Sequence, residues 1–306
     1  MSSERSPSQT AVLVSMLRAA HLHLDDEPHI FRDTLALGLS GLDSVERLRA
    51  GLDGLMARFS AEIGAEPAAR LMAGMRSVLT WRARSAEDRL LACAARGVDQ
   101  CVVLGAGLDS TAYRLHESLP AMRFFEVDHA TSQTWKRERL GAMGVAEPSR
   151  LSYVTVDFER DDILEALTAA GLSLARPVVV IWLGVTYYLA PDTTFGVLGA
   201  FSRLAPDSEL VLDYILPPGR WTSGMAAMME SMRRLTSESS EPMHGFLEPD
   251  VLSSQAARFG LTVVSDVGEE SRLGFLQGRR DGLALAVLSD DESPARVLTL
   301  AVPSRP

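Results

Sequence analysis

Residues Val102–Asp109 read Val-Val-Leu-Gly-Ala-Gly-Leu-Asp, an apolar strand that runs into a glycine turn opening a helix. Small residues at that junction let a ligand approach the backbone at the carboxyl end of a first strand, which is where open α/β sheets bind cofactors. The surrounding texture agrees. From Gln100 onward, short apolar runs alternate with amphipathic stretches, as in a parallel sheet built from βαβ units. Strands are expected at Gln100–Leu104, Arg123–Val127, Leu151–Val156, Val178–Leu183 and Glu209–Ile215, with helices at Asp109–Glu117, Thr131–Met143, Asp161–Ala169 and Pro191–Leu204. Asp161 and Asp162 are candidate caps for the third helix, with Glu165 in capping-box position.

Pro217-Pro218-Gly219 ends this alternation. Helices at Ser223–Leu235 and Glu248–Phe259 follow, then strand-like runs at Leu261–Val267 and Gly282–Leu288. The expected core, residues 97–306, is therefore α/β and Rossmann-like: a seven-stranded, mostly parallel sheet with helices on both faces, a last antiparallel hairpin and a helical insertion around 217–260. Residues 1–96 differ. Leu13, Leu17, Leu48, Leu52, Leu71, Met75 and Leu79 recur near the helical period, so this part is read as an all-helical cap.

Composition narrows the function. Among 306 residues, 46% are hydrophobic, enough for a large core, and the net charge of −10 offers no general attraction to nucleic acid or anionic membrane. The longest apolar runs, such as Val178–Gly184, are strand-sized rather than membrane-spanning. Cys93 and Cys101 lack CxxC spacing, which argues against a disulfide framework or a zinc site and for a reducing, cytoplasmic setting. The cluster His21-Leu-His23-Leu-Asp25-Asp26 does not read as a metal site either, since helical residues two apart do not share a face.

The acids beyond the glycine turn carry the next step. Period-two alternation puts Glu126 and Asp128 on one face at the end of the second strand, where a carboxylate can accept both hydroxyl protons of a ribose. An unmodified ribose suits S-adenosylmethionine or NAD. A dinucleotide fingerprint would carry glycine at the sixth position of G-x-G-x-x-G, and this chain has Ser110, which disfavours a nicotinamide-dependent oxidoreductase. After the third strand, Asp157 is a candidate for an adenine amino group and Phe158 for an apolar wall; a loop acid and a core aromatic explain them equally well. Asp109 is explained by capping the helix that follows.

Several segments together resemble a known family. Arg82-Ala-Arg-Ser-Ala-Glu-Asp88, Gly97-Val-Asp-Gln100, Leu104–Ser110, Phe125–Leu140 and Trp182–Leu189 occur in order, with Arg18-Ala-Ala-His21 near the start and Gly278-Arg-Arg-Asp-Gly282 near the end. The set resembles the leucine carboxyl methyltransferase family, specifically its bacterial S-adenosylmethionine-dependent branch. The resemblance implies a class I methyltransferase fold. It also implies a cofactor site in which Arg82 binds the methionyl carboxylate, Gly105, Ala106 and Gly107 line the turn beneath it, Asp128 holds the ribose, and Asp157 with Phe158 holds the adenine. One departure is visible: several relatives carry Glu just before the glycine of the fourth-strand motif, where this chain has Leu183 before Gly184.

Methyl transfer to oxygen is an in-line displacement, so alignment and exclusion of water are the main requirements. A carboxylate acceptor, with a pKa of roughly 4, is already ionised at neutral pH and needs no base. A small-molecule carboxylic acid is the expected acceptor, giving a methyl ester. A phenol or alcohol of secondary metabolism would need a base, for which Tyr188, His244 and His129 are the candidates. A protein that binds the cofactor without transferring methyl is a further alternative. Arg18, His21, Tyr187, Tyr214, Trp221 and Arg279 are candidates to border the acceptor, with the helical cap closing over it.

Overall fold

The computed structural model of the chain describes residues 8–238, 241–268 and 294–304. Four helices come first: α1 (Gln9–Leu24), α2 (Ala36–Leu39), α3 (Val45–Ile63) and α4 (Ala65–Ala95). Ser8 caps α1 by accepting from the Ala11 amide, and Ser44 caps α3 by accepting from Arg47. Leu17, Ala19 and Ala20 of α1 pack with Leu48, Leu52 and Phe59 of α3 and with Ala68, Leu71 and Met72 of α4 into one apolar cluster.

The 31 residues of α4 span about 46 Å at 1.5 Å each. Its first half belongs to that helical cluster, whereas Trp81, Ala86, Leu90 and Cys93 of its second half pack on one face of the sheet. One rigid element thus joins the helical part to the α/β part.

The sheet is built from β1 (Gln100–Leu104), β2 (Arg123–Asp128), β3 (Leu151–Thr155), β4 (Val179–Trp182), β5 (Glu209–Ile215), β6 (Thr262–Val267) and β7 (Ala295–Ala301), in the order β3-β2-β1-β4-β5-β7-β6. The first five run parallel; β7 inserts antiparallel between β5 and β6. Every residue of β1, β4 and β5 is buried, as central strands covered on both faces require. Helices α5 (Thr111–Leu115), α6 (Ala130–Ala142), α7 (Ile163–Ala169), α8 (Pro191–Phe201), α9 (Ser223–Glu238) and α10 (Pro249–Arg258) complete the described α-helices, and single 3-10 turns stand at Thr186–Tyr188 and Pro218–Arg220. Among the described residues, no helix is long and apolar enough to cross a membrane.

One expectation changes, and one strand was not foreseen. Asp162 alone caps α7, accepting from Leu164 and Glu165, while Asp161 turns back to accept from the Asp157 amide. The strand beside β5 is Ala295–Ala301, a run not assigned from the sequence; Gly282–Leu288 lies outside the described residues.

Candidate active site

Neighbouring β1 and β4 send their chains to opposite sides of the sheet, and the crevice between their carboxyl ends is the ligand position of open α/β sheets. A pocket of about 410 Å3 opens there. Its floor is the glycine turn. Gly105 adopts φ +60°, and a Cβ on it would stand 2.3 Å from Cγ2 of Val185, so only glycine keeps the turn this close to the end of β4. The Ala106 amide donates to the Val127 carbonyl at 3.0 Å and the Gly107 amide to Asp128 Oδ2 at 2.5 Å, tying the turn to the end of β2. Asp128 also accepts from the His129 amide at 2.6 Å. Each carboxylate oxygen keeps acceptor capacity, and Asp128 lies on the pocket wall.

Arg82 arrives from α4. It donates to Asp213 Oδ2 at 2.5 Å and to the Tyr187 hydroxyl at 2.8 Å, while Asp213 Oδ1 accepts from the Gly184 amide at 2.6 Å. Burial opposes the charge on Arg82, but Asp213 and Tyr187 more than compensate and raise its pKa. Burial also pushes the Tyr187 hydroxyl up to about 12 against the influence of Arg82, and pushes Tyr188 well above its ordinary value. Both phenols stay protonated at neutral pH.

The helical part supplies the opposite wall. Arg18 of α1 donates to the Leu108 carbonyl at 2.6 Å, with Nε 3.4 Å from Asp33 and Nη1 3.9 Å from Asp109. Ser8, ahead of α1, donates to Glu241 at 2.6 Å, and both face the pocket.

Of the residues expected from sequence, Arg18, Arg82, Gly105, Ala106, Gly107, Asp128, His129, Phe158, Leu183, Tyr187 and Tyr188 meet on this wall. Others stand off it. Glu126 shares a face with Asp128 but lies two residues deeper, fully buried, where Lys136 of α6 donates to it at 2.6 Å. Asp157 organises its own turn, accepting from the Glu159 amide at 3.0 Å. His21 is fully buried, with Nδ1 donating to Asp25 and Nε2 accepting from the Ile30 amide, both at 2.8 Å. Tyr214 follows Asp213 on β5 and so faces the other side of the sheet, donating to Asp266 at 2.7 Å. Trp221 donates to the Leu216 carbonyl and packs edge-on against Phe246. His244 is exposed, its Nδ1 donating to the Pro242 carbonyl at 2.9 Å. Arg279 lies outside the described residues.

The sequence reading missed Asp213, and the signal was present: a lone acid inside the apolar strand Glu-Leu-Val-Leu-Asp-Tyr-Ile demands a buried partner. It also credited Asp109 with capping alone. Asp109 does accept from the Thr111 amide at 2.7 Å, and it lines the pocket beside Arg18 as well.

The strand order, the antiparallel seventh strand and the helices on both faces define a class I methyltransferase fold. Solved structures share it: a DUF574 family protein from Streptomyces avermitilis matches with a TM-score of 0.61 at 16% identity, covering 97% of this chain and 98% of that one. A Thermobifida fusca protein described as a methyltransferase matches with a TM-score of 0.55 at 19% identity, covering 99% and 97%.

The chain belongs to the leucine carboxyl methyltransferase family, whose model matches residues 11–201. A Bacillus subtilis relative named as an S-adenosyl-L-methionine-dependent methyltransferase is 26% identical over 291 residues, 90% of this chain and 94% of that protein. One of the same description from Mycolicibacterium paratuberculosis is 35% identical over 190 residues, 61% of this chain and 58% of that protein. This chain is accordingly an S-adenosylmethionine-dependent methyltransferase.

Proposed function

We propose that this methyltransferase acts on oxygen and that its acceptor is a small-molecule carboxylate, released as a methyl ester. In this reading Arg82 takes the methionyl carboxylate, Gly105, Ala106 and Gly107 lie beneath the cofactor with Leu183 beside it, Asp128 accepts from the ribose hydroxyls, and Phe158 walls the adenine. The pocket suits such an occupant: its volume falls in the usual range for cofactor sites, and the floor at Gly105 is open only because no Cβ is there. When bound, S-adenosylmethionine supplies an electrophilic methyl group on a sulfonium.

The observation that carries the acceptor class is the protonation state of the wall. Tyr187, buried, and Tyr188, half-buried, stand on the wall beside Arg82, keep their protons at neutral pH and serve as hydrogen-bond donors rather than bases. A carboxylate acceptor needs no base, and two hydroxyl donors can orient it. The cap, expected at residues 1–96, belongs to the active site in this reading, since its Arg18, its Thr10 and the Ser8–Glu241 bond border the pocket and keep water from the reacting atoms. The unpaired, buried thiols of Cys93 and Cys101 support a cytoplasmic setting.

One observation favours a hydroxyl acceptor instead. Asp109 and Asp128 are tied to backbone amides, whereas Glu241 on the same wall accepts from the Ser8 hydroxyl and is placed as a base would be. A panel of carboxylic acids, phenols and alcohols incubated with S-adenosylmethionine and read by mass spectrometry separates the two. Methyl esters are expected; methyl ethers alone would replace the carboxylate reading.

A further inference from the structure

Behind the cofactor pocket lies a second chamber of about 160 Å3. Thr10, Val14, Leu79, Arg82, Tyr187 and Tyr188 line both, so the two spaces meet at one wall. Polarity is sharply divided across the chamber. Its polar side chains are those of the shared wall together with Asp213, which neutralises Arg82. Away from that wall the lining is aliphatic and sulfur-bearing, with Leu71 and Met75 from α4 facing Met229 and Met232 from α9 and Met243 beyond it. Methionine walls adapt to flexible apolar guests.

A glycine borders this space. Gly74 lines the chamber from the interior of α4, where glycine weakens a helix, and a Cβ built on it meets nothing within 4 Å. The shape calls for an amphiphile, with its reacting head among the hydroxyls of the shared wall and its tail among the methionines.

We propose that the acceptor is an aliphatic monocarboxylic acid whose hydrocarbon tail occupies this chamber. The proposal rests on the carboxylate reading above and adds the nature of the rest of the molecule. The chamber is smaller than the cofactor pocket, about 160 against 410 Å3, so it suits a tail of several carbons rather than a long chain.

The test uses the full chain with S-adenosylmethionine and straight-chain acids from acetate to dodecanoate, with ester formation read as kcat/KM and acid binding read by calorimetry in the presence of S-adenosylhomocysteine. For the wild type, kcat/KM should climb by roughly fourfold per methylene to an optimum and then level. Gly74→Leu should move the optimum to shorter acids and Met229→Ala to longer ones, both leaving S-adenosylhomocysteine affinity unchanged. A purely structural role for these residues would not move the optimum in opposite directions. A flat profile, or one optimum in all three proteins, overturns the tail site; if short acids are still esterified in that case, the carboxylate reading stands without it. Length-dependent binding of acids with no ester formed keeps the tail site and overturns the carboxylate reading. If no acid binds and Gly74→Leu merely changes thermal stability, the chamber is filled by the chain itself and the proposal fails.

Discussion

Two acids on one face of β2 have opposite fates within a few ångströms. Asp128 ends the strand and reaches the pocket, whereas Glu126 sits deeper under Lys136. Burial pushes the Glu126 carboxyl from its ordinary value of 4.5 up to about 7, with Lys136 opposing the shift. An acid that holds its proton more tightly when folded contributes stability fully present below pH 4.5 and lost as the pH rises through about 7. Glu126→Gln should therefore flatten the pH dependence of unfolding free energy between those values and leave S-adenosylhomocysteine affinity intact. Asp128→Asn should do the reverse, weakening that affinity by about tenfold or more, since a hydrogen bond to a charged group is worth roughly 1.5–3 kcal/mol. Denaturant titrations across pH and calorimetry read the two arms; weaker cofactor binding in the Glu126 variant would return that residue to the site.

Helix α1 shows how one element serves fold and site through different residues. Arg18 faces the glycine turn, and His21, one turn on, faces the helical core and fastens Asp25 and the Ile30 amide. Both belong to one sequence motif, and only packing separates their roles. His21→Ala leaves the Ile30 amide without its acceptor, which should cost about 1–3 kcal/mol of stability. Thermal and denaturant unfolding measure that loss, and cofactor affinity should stay unchanged. A selective loss of acceptor turnover in a variant of full stability would place His21 in the substrate site.

At the scale of the molecule, α4 packs the helical part on the sheet, and the Ser8–Glu241 bond ties the start of α1 to the segment after α9 on the pocket wall. Deleting residues 1–10 removes Ser8, its cap on α1, its bond to Glu241, and Thr10 from the shared wall. That protein should fold and bind S-adenosylhomocysteine but methylate its acceptor at a reduced rate, as steady-state kinetics beside calorimetry would register. Deletion through Asp26 should not fold, because Leu17, Ala19 and Ala20 are fully buried.

The sequence by itself determined the parallel core. Gln100–Leu104 and Glu209–Ile215 are strands from end to end as expected, since central strands must be apolar on both faces and the glycine turn marks where the first one stops. It also determined the cofactor class, because the turn, Arg82 and Asp128 belong to one ordered set of motifs. Tertiary structure decided the rest. The strand that pairs antiparallel with β5 is Ala295–Ala301, a run not assigned from the sequence, because a long-range pairing is set by register against a distant strand and not by local pattern. Depth along a strand, not its period, separates Asp128 from Glu126. The partnership of Arg82 with Asp213, 131 residues away, and the chamber between α4 and α9 exist only once distant segments pack, because a cavity is a property of surfaces that the chain order does not place side by side.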